Sequence, residues 1–382
     1  MIAIDRRAFL KSGLSLGCAA AALPLFTPLS LAAAPGENRL VVIILRGAMD
    51  GLGVFAPYGE RDWARMRPTI GAAPGAGLID LDGRFGMDAR LAALHPLWAA
   101  EELAVVHAVS TPYRDKRSHF DGQDMLESGV QAGGAPRDGW LNRAVAHIDG
   151  ARTEQALAVG REAMLLTSGD APFRVWAPGE RLALRNDERE LLTRLYADDP
   201  LFAHAAALAE ELSALDDGEA DRRVAVYAAK RLAAEARIAA FSLGGWDTHA
   251  AQKPALKRPL KQLSDSLIAL RDGLGPAWSR TLVIAMTEFG RTARENGNRG
   301  TDHGTGGAAI LAGGAMRGGR VYGDWPGLGE SDLYNGRDLT PTGDIRRYPA
   351  WALNALFGVP KSTLETAIFP ALDMDTRPAF LA

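Results

Sequence analysis

The sequence reads as an α/β chain whose mostly parallel sheet is covered by helices on both faces, and three observations say so. Short apolar runs without polar alternation recur along it, segments with 3.6-residue apolar spacing lie between them, and the connections are too long for hairpins. The runs are residues 40–45 (LVVIIL), 103–109 (LAVVHAV), 238–243 (IAAFSL), 282–286 (LVIAM) and 308–311 (AAIL). Their β-branched and small residues, bounded by glycine or charge, suit strands buried on both faces. Helical spacing marks residues 91–100, 200–215, 222–236 and 259–274. The glycine-rich stretch 297–323 reads as loops around one strand.

Ahead of these elements stands a different kind of sequence. Arg6 and Arg7 open a twin-arginine n-region, followed by an apolar, alanine-rich stretch and the small-residue exit Leu31, Ala32, Ala33, Ala34. Residues 1–34 are therefore expected to be a twin-arginine (Tat) signal peptide. A membrane anchor is the competing reading, but Pro24 and Pro28 interrupt the apolar segment. The expected product, residues 35–382, is a single α/β domain delivered by the Tat machinery to the periplasm or secreted. Cys18, the chain's one cysteine, lies in the leader, so that product carries no disulfide.

Composition narrows the function. With 47% hydrophobic and 23% charged residues over 382 positions, the chain can bury a large core and is neither disordered nor fibrous. Its 43 Lys and Arg against 46 Asp and Glu give a net charge of −3, with no basic excess to attract a phosphate backbone. Nucleic acid is excluded as the expected partner.

Open α/β sheets bind ligands beyond the carboxyl ends of their strands, so those ends are where chemistry is expected. After the first run comes Asp50, which reads either as a turn former before Gly51 or as a metal ligand. Beyond the third, Asp247 and His249 stand two apart, facing the same way in extended backbone and able to grip one cation through oxygen and nitrogen. Glu288 closes a strongly apolar strand, where a carboxylate needs a cation or an arginine such as Arg291 beside it. Asp302 and His303 lie among glycines in a loop that either approaches a ligand or is merely flexible. Ser118, with Asp121 three residues on, fits a capping box. The same position suits a nucleophile, because a helix N-terminus favours negative charge there. Arg114 and Arg117 are candidates to steady an oxyanion, with Arg46 and Arg291 as alternatives. His95, His107, His147 and His204 stand away from strand ends and read as structural.

Together these motifs carry a resemblance. The twin-arginine leader, RGAMDGL at 46–52, RSHFDGQDMLE at 117–127, GGWDTH at 244–249, TEFGRT at 287–292 and GTDHGTGG at 300–307 resemble the exported bacterial family of domain of unknown function 1501. That family is similar in turn to the alkaline phosphatase and sulfatase superfamily. The resemblance implies an alkaline-phosphatase-like fold around one or two divalent metals, with zinc the candidate, and hydrolysis of an anionic phosphate or sulfate ester. It implies Asp50, Asp247, His249, Glu288 and His303 as ligands, with His119 and Asp302 as substitutes. Ser118 is then the nucleophile, with Arg117 and Arg291 beside it. The sequence departs from the superfamily in having one residue between Asp247 and His249, and Glu288-Phe289 where an Asp-His doublet is usual. The competing expectation is a non-catalytic binding or assembly protein on the same fold. The resemblance offers an exported protein of domain of unknown function 1800 as its partner.

Overall fold

The computed structural model describes residues 29–32, 34, 36–114, 116–130, 138–148, 150–151, 164–171, 173–176 and 220–381. The strands in chain order are β1 (Leu29–Ala32), β2 (Arg39–Leu45), β3 (Phe55–Ala56), β4 (Ala73–Pro74), β5 (Gly77–Asp80), β6 (Gly86–Asp88), β7 (Leu103–Ser110), β8 (Arg174–Trp176), β9 (Ile238–Leu243), β10 (Thr281–Met286), β11 (Gly307–Ala312), β12 (Arg320–Tyr322) and β13 (Gly343–Asp344). All five apolar runs are strands. Among the described residues, the main sheet runs β12-β7-β11-β10-β2-β9-β1-β8, with β13 also on β7, and a small sheet runs β3-β6-β5-β4.

The main sheet is mixed, which corrects the expectation of a mostly parallel one. β2 lies parallel to β9 and β10, and β7 parallel to β12 and β13, but β11 is antiparallel to both β10 and β7. The cause is the β10–β11 connection. It contains no helix to carry the chain across a face, so the strand returns from the same edge at which β10 ended. β1, at the end of the expected leader, pairs antiparallel with β9 and β8. The stretch 297–323 likewise holds two strands, β11 and β12, rather than one.

Alternation along the central strands divides the core between the two faces. Val41, Ile43 and Leu45 join one apolar cluster with Phe241, while Leu40, Val42 and Ile44 join the other with Ile284; all are buried. Each such side chain contributes on the order of 1.5–3 kcal/mol. The first face is covered by helices Ala220–Ala233 and Lys257–Leu274, the second by Trp140–Ala146 and Arg347–Phe357. In Lys257–Leu274 the buried leucines 260, 263, 267, 270 and 274 trace the expected stripe. The single helix expected over 91–100 divides into a 3-10 turn, Ala89–Leu94, and a helix, His95–Ala99. Pro96 lacks an N–H and is suited to the first turn of a new helix, so the break falls there. The helix expected over 200–215 lies outside the described residues.

His107, in the middle of β7, is structural as expected. It is 1% exposed, stacks on Phe85 and places Nε2 2.8 Å from the Phe55 carbonyl, while Nδ1 has no partner among the described residues. Burial pushes its pKa down to about 4, against the Phe55 bond. Between pH 6.5 and 4 the unfolded chain then binds the extra proton. Stability at this residue is complete above pH 6.5 and falls by up to about 3 kcal/mol as the pH drops through that window. His107→Gln, which keeps a donor but does not titrate, is expected to flatten the dependence in urea unfolding at pH 4–7. Equal slopes for the two proteins would refute this account.

Candidate metal centre

Strand directions bring the chemistry to one edge. Leu45 of β2 pairs in register with Leu243 of β9, and Met286 of β10 with Ile44, so all three strands end at one level. β7 runs parallel to β2 through the reversed β11, which enters the sheet from that edge. The segments after β2, β7, β9 and β10 and the one before β11 therefore meet there. They pack backbone against backbone. A Cβ on Gly47, whose φ is +111°, would lie 2.6 Å from the Asp247 nitrogen, and one on Gly300 would lie 2.4 Å from the His249 carbonyl carbon. Glycine is required at both positions. The loop carrying His303 is pinned: Thr301 N donates to Thr248 O, Thr292 N to Asp302 O and Gly304 N to Gly290 O, all within 3.1 Å.

At this edge His119, Asp247 and His303 offer ligand atoms within 4.8 Å of one another, a group that could hold a metal ion. His249 stands against this group. Its Nε2 lies 2.9 Å from His303 Nε2 and 3.0 Å from Asp247 Oδ1. His303 Nε2 is 3.2 Å from Asp247 Oδ1, and His119 Nε2 is 3.5 Å from Asp247 Oδ2. Two ligand atoms at about 2.0–2.1 Å from a tetrahedral ion stand roughly 3.3 Å apart, and these contacts lie near that value, with His119 meeting the other oxygen of Asp247.

The outer partners fix the tautomers. Each Nδ1 faces an oxygen acceptor: His119 faces Glu288 Oε1 at 2.7 Å, His303 the Arg117 carbonyl at 3.0 Å, and His249 Asp302 Oδ1 at 3.3 Å. With Nδ1 donating to these oxygens, each Nε2 can bind a cation when its ring is neutral, or donate a second hydrogen to Asp247 when the ring is protonated. Neutral rings with their lone pairs toward one another and an anion repel unless a metal ion or a proton lies between them. Among the described residues, His119 Nε2 is buried and has no hydrogen-bond partner. This is how metal-binding imidazoles are held, with the far nitrogen bonded to carboxylate or carbonyl.

The electrostatics agree. The hydrogen bond to Glu288, working against burial, pushes His119 up and makes it the more basic donor. Burial pushes His303 down, favouring its neutral ring. Burial would raise Asp247, but the hydrogen bond and charge of Arg291 and the contact with His303 hold it below its ordinary value. Asp302 is lowered by the Asn296 amide. Phe289 stacks on His119 at 5.2 Å and lies as close to His303, an apolar wall behind two donors.

A family model described as "Protein of unknown function (DUF1501)" matches residues 108–350. The chain belongs to the DUF1501 family. No curated protein and no solved structure matches it. The matched span of this DUF1501 protein includes all four donors and the partners that fix their rings.

Other candidates from the sequence stand elsewhere in the DUF1501 protein. Asp50 is fully buried but is not among the four donors. It forms a two-pronged ion pair with Arg67 and accepts from Gln252 Nε2 at 2.5 Å, so its charge is met by a guanidinium. Glu288 is fully buried and supports the donors rather than joining them. Its Oε1 accepts from Gly47 N and Ala48 N at 3.0 Å and faces His119, while Thr287 Oγ1 donates to Oε2 at 2.9 Å. Asp302 stands behind His249, accepting from Asn296 Nδ2 at 3.0 Å. Arg291, 1% exposed, spends its guanidinium on the carbonyls of Gly47, Ala48, Trp246 and Thr301 and on Asp247 Oδ1 at 2.5 Å. It orients a donor and has little left for a substrate oxygen. Arg46 is tied to Glu127 at 2.6 Å and to Gln123 and Ser242. Ser118 caps helix His119–Ser128, its Oγ accepting from Asp121 N at a long 3.4 Å, one residue before the donor His119. Arg117 is exposed at the rim.

Gln252 has no counterpart in the sequence reading. Its Oε1 accepts from Thr248 Oγ1 at 3.0 Å and Thr301 Oγ1 at 2.8 Å, while its amide nitrogen donates to Asp50. It links the Arg67–Asp50 pair to both histidine-bearing loops. A buried amide five residues beyond an Asp and three beyond a His carries no motif, and only the fold brings its partners together.

Proposed function

We propose that this DUF1501 protein is an exported, metal-dependent hydrolase of phosphate or sulfate esters. The observation that carries the reading is the convergence of three imidazole Nε2 atoms on the Asp247 carboxylate, each ring locked by an oxygen at Nδ1. His119, Asp247, His249 and His303 would hold one divalent ion, and three nitrogens with one oxygen favour zinc. When bound, the ion would polarise the phosphoryl or sulfuryl oxygen. Ser118, weakly engaged by Asp121 at the helix start, would attack phosphorus or sulfur, its proton leaving with the alcohol as the ester bond breaks, and water would then cleave the Ser118 ester to release the inorganic anion. Arg117 offers charge to the oxyanion. The alkaline-phosphatase-like arrangement rests on the motif resemblance, with the donors gathered at the carboxyl edge of the sheet as support. Export rests on the twin-arginine leader. Among the described residues no helix is long and apolar enough to cross a membrane.

One observation favours a second reading, a binding or assembly protein. Four protein donors fill a tetrahedral ion, as in structural zinc sites, whereas catalytic sites keep a position open. Metal analysis of the full chain exported through the Tat route separates these readings. We expect a divalent ion in the native protein and none after Asp247→Ala with His249→Ala; equal metal in both removes the site. A panel of phosphomonoesters, phosphodiesters and sulfate esters is expected to show turnover lost in Ser118→Ala. Turnover surviving that change excludes this nucleophile. Bound metal without turnover of any ester supports the assembly reading.

A further inference from the structure

A second charged cluster lies on the rim of the metal centre. Asp338 is 1% exposed and braces two arginines: Arg337 Nη1 donates to its Oδ1 at 2.7 Å, and Arg117 Nη2 stands 3.7 Å from its Oδ2. Thr305 Oγ1 donates to Oδ2 at 2.9 Å and anchors the carboxylate to the loop of His303. Both arginines also hold His303. Arg337 Nη1 donates to the His303 carbonyl at 2.9 Å, and the Arg117 carbonyl accepts from His303 Nδ1 at 3.0 Å. Arg117 is kept in the left-handed region, at φ +55°, a conformation that persists in such a residue only where its surroundings impose it.

Two guanidiniums share one buried carboxylate, and the charge of Arg337 also acts on Asp302, which leaves Arg117 the less closely paired of the two. The 3.7 Å contact of Arg117 is beyond hydrogen-bonding distance. Among the described residues Nε and Nη2 of Arg337 have no partner. Both side chains reach solvent, at 39% and 34% exposure. A carboxylate that fixes two planar donors without saturating either leaves N–H groups directed outward, which suits the oxygens of a tetrahedral anion.

We propose that Arg117 and Arg337, braced by Asp338, form an oxyanion subsite that grips the phosphate or sulfate group of the ligand beside the metal donors. The inference rests on the reading of this edge as a site for such esters, and it assigns to Arg337 and Asp338 a role that the hydrolase reading does not need. Arg337 is a binding residue and Asp338 a positioning residue.

Calorimetric titration of the full chain with inorganic phosphate and, separately, with inorganic sulfate tests it, in zinc-loaded and zinc-free protein. Native protein is expected to bind at least one anion, and the two arms show which. Arg337→Ala is expected to weaken binding about tenfold or more at unchanged zinc content, and Arg337→Lys to restore part of it. If Arg337→Ala does not fold, Arg117→Gln supplies the same comparison. Equal anion affinity in native and variant proteins of unchanged thermal midpoint overturns the proposal, as does native protein that binds neither anion. Arginine-dependent anion binding in a protein that never takes up zinc supports the subsite while defeating the metal reading. Zinc uptake with arginine-independent anion binding does the reverse.

Discussion

Asp50→Ala is expected to destabilise the fold by about 3–5 kcal/mol, whether or not metal is bound. The carboxylate is fully buried and meets Arg67, whose side chain is itself without exposure. Arg67 also donates to the carbonyls of Thr292 and Ala293 and lies 5.2 Å from the Trp63 ring, so it has no route to water when its partner is removed. A stranded guanidinium is the costly species, and replacing both partners by apolar residues is therefore expected to recover most of the loss. Urea unfolding of native protein, Asp50→Ala, and the double variant Asp50→Leu with Arg67→Met, all after chelation, measures this. A metal-ligand role for Asp50 makes the opposite prediction: chelation would then erase the difference between native protein and Asp50→Ala. The same variant is expected to weaken metal uptake, because Gln252 loses the acceptor that orients it between Thr248 and Thr301.

The contrast between Asp50 and Asp247 shows what the sequence could reveal. Both follow apolar strands, and a carboxylate at a strand end looks the same whether a metal, an arginine or an imidazole neutralises it. Asp247 carried an additional signal, His249 two residues on, and His303 stood in a glycine-rich loop; the fold brings those three together. Asp50 stood alone, and its partner Arg67 lies in a segment without pattern. Glu288 reads as a carboxylate in need of a partner, and the fold sets His119 beside it, with Arg291 turned to Asp247. His119 enters only as a substitute ligand through the resemblance, since it follows no strand end directly and its place beside Glu288 is set by the fold. The strands were legible because burial on both faces leaves an apolar run. The direction of β11 was not, since it depends on the absence of a helix between it and β10, which apolar composition does not report.

Glu288 gives the sharper test of how the imidazoles are held. Glu288→Gln keeps an oxygen for the amides of Gly47 and Ala48 and for His119, but removes the charge that makes His119 basic. Zinc affinity, measured by competition with a chromophoric chelator, is expected to fall about 10–100-fold, with little change in the unfolding midpoint of the metal-free protein. Glu288→Ala is expected to add a stability loss on the order of 1–3 kcal/mol for each of the two buried amides left without an acceptor. Unchanged zinc affinity in Glu288→Gln would refute the proposed support of His119. X-ray absorption distinguishes the remaining alternative: a Glu288 that ligates directly would change the ion's first coordination sphere on conversion to Gln. A Glu288 that acts through His119 leaves the same nitrogens and oxygen in place and weakens the bond to one of them.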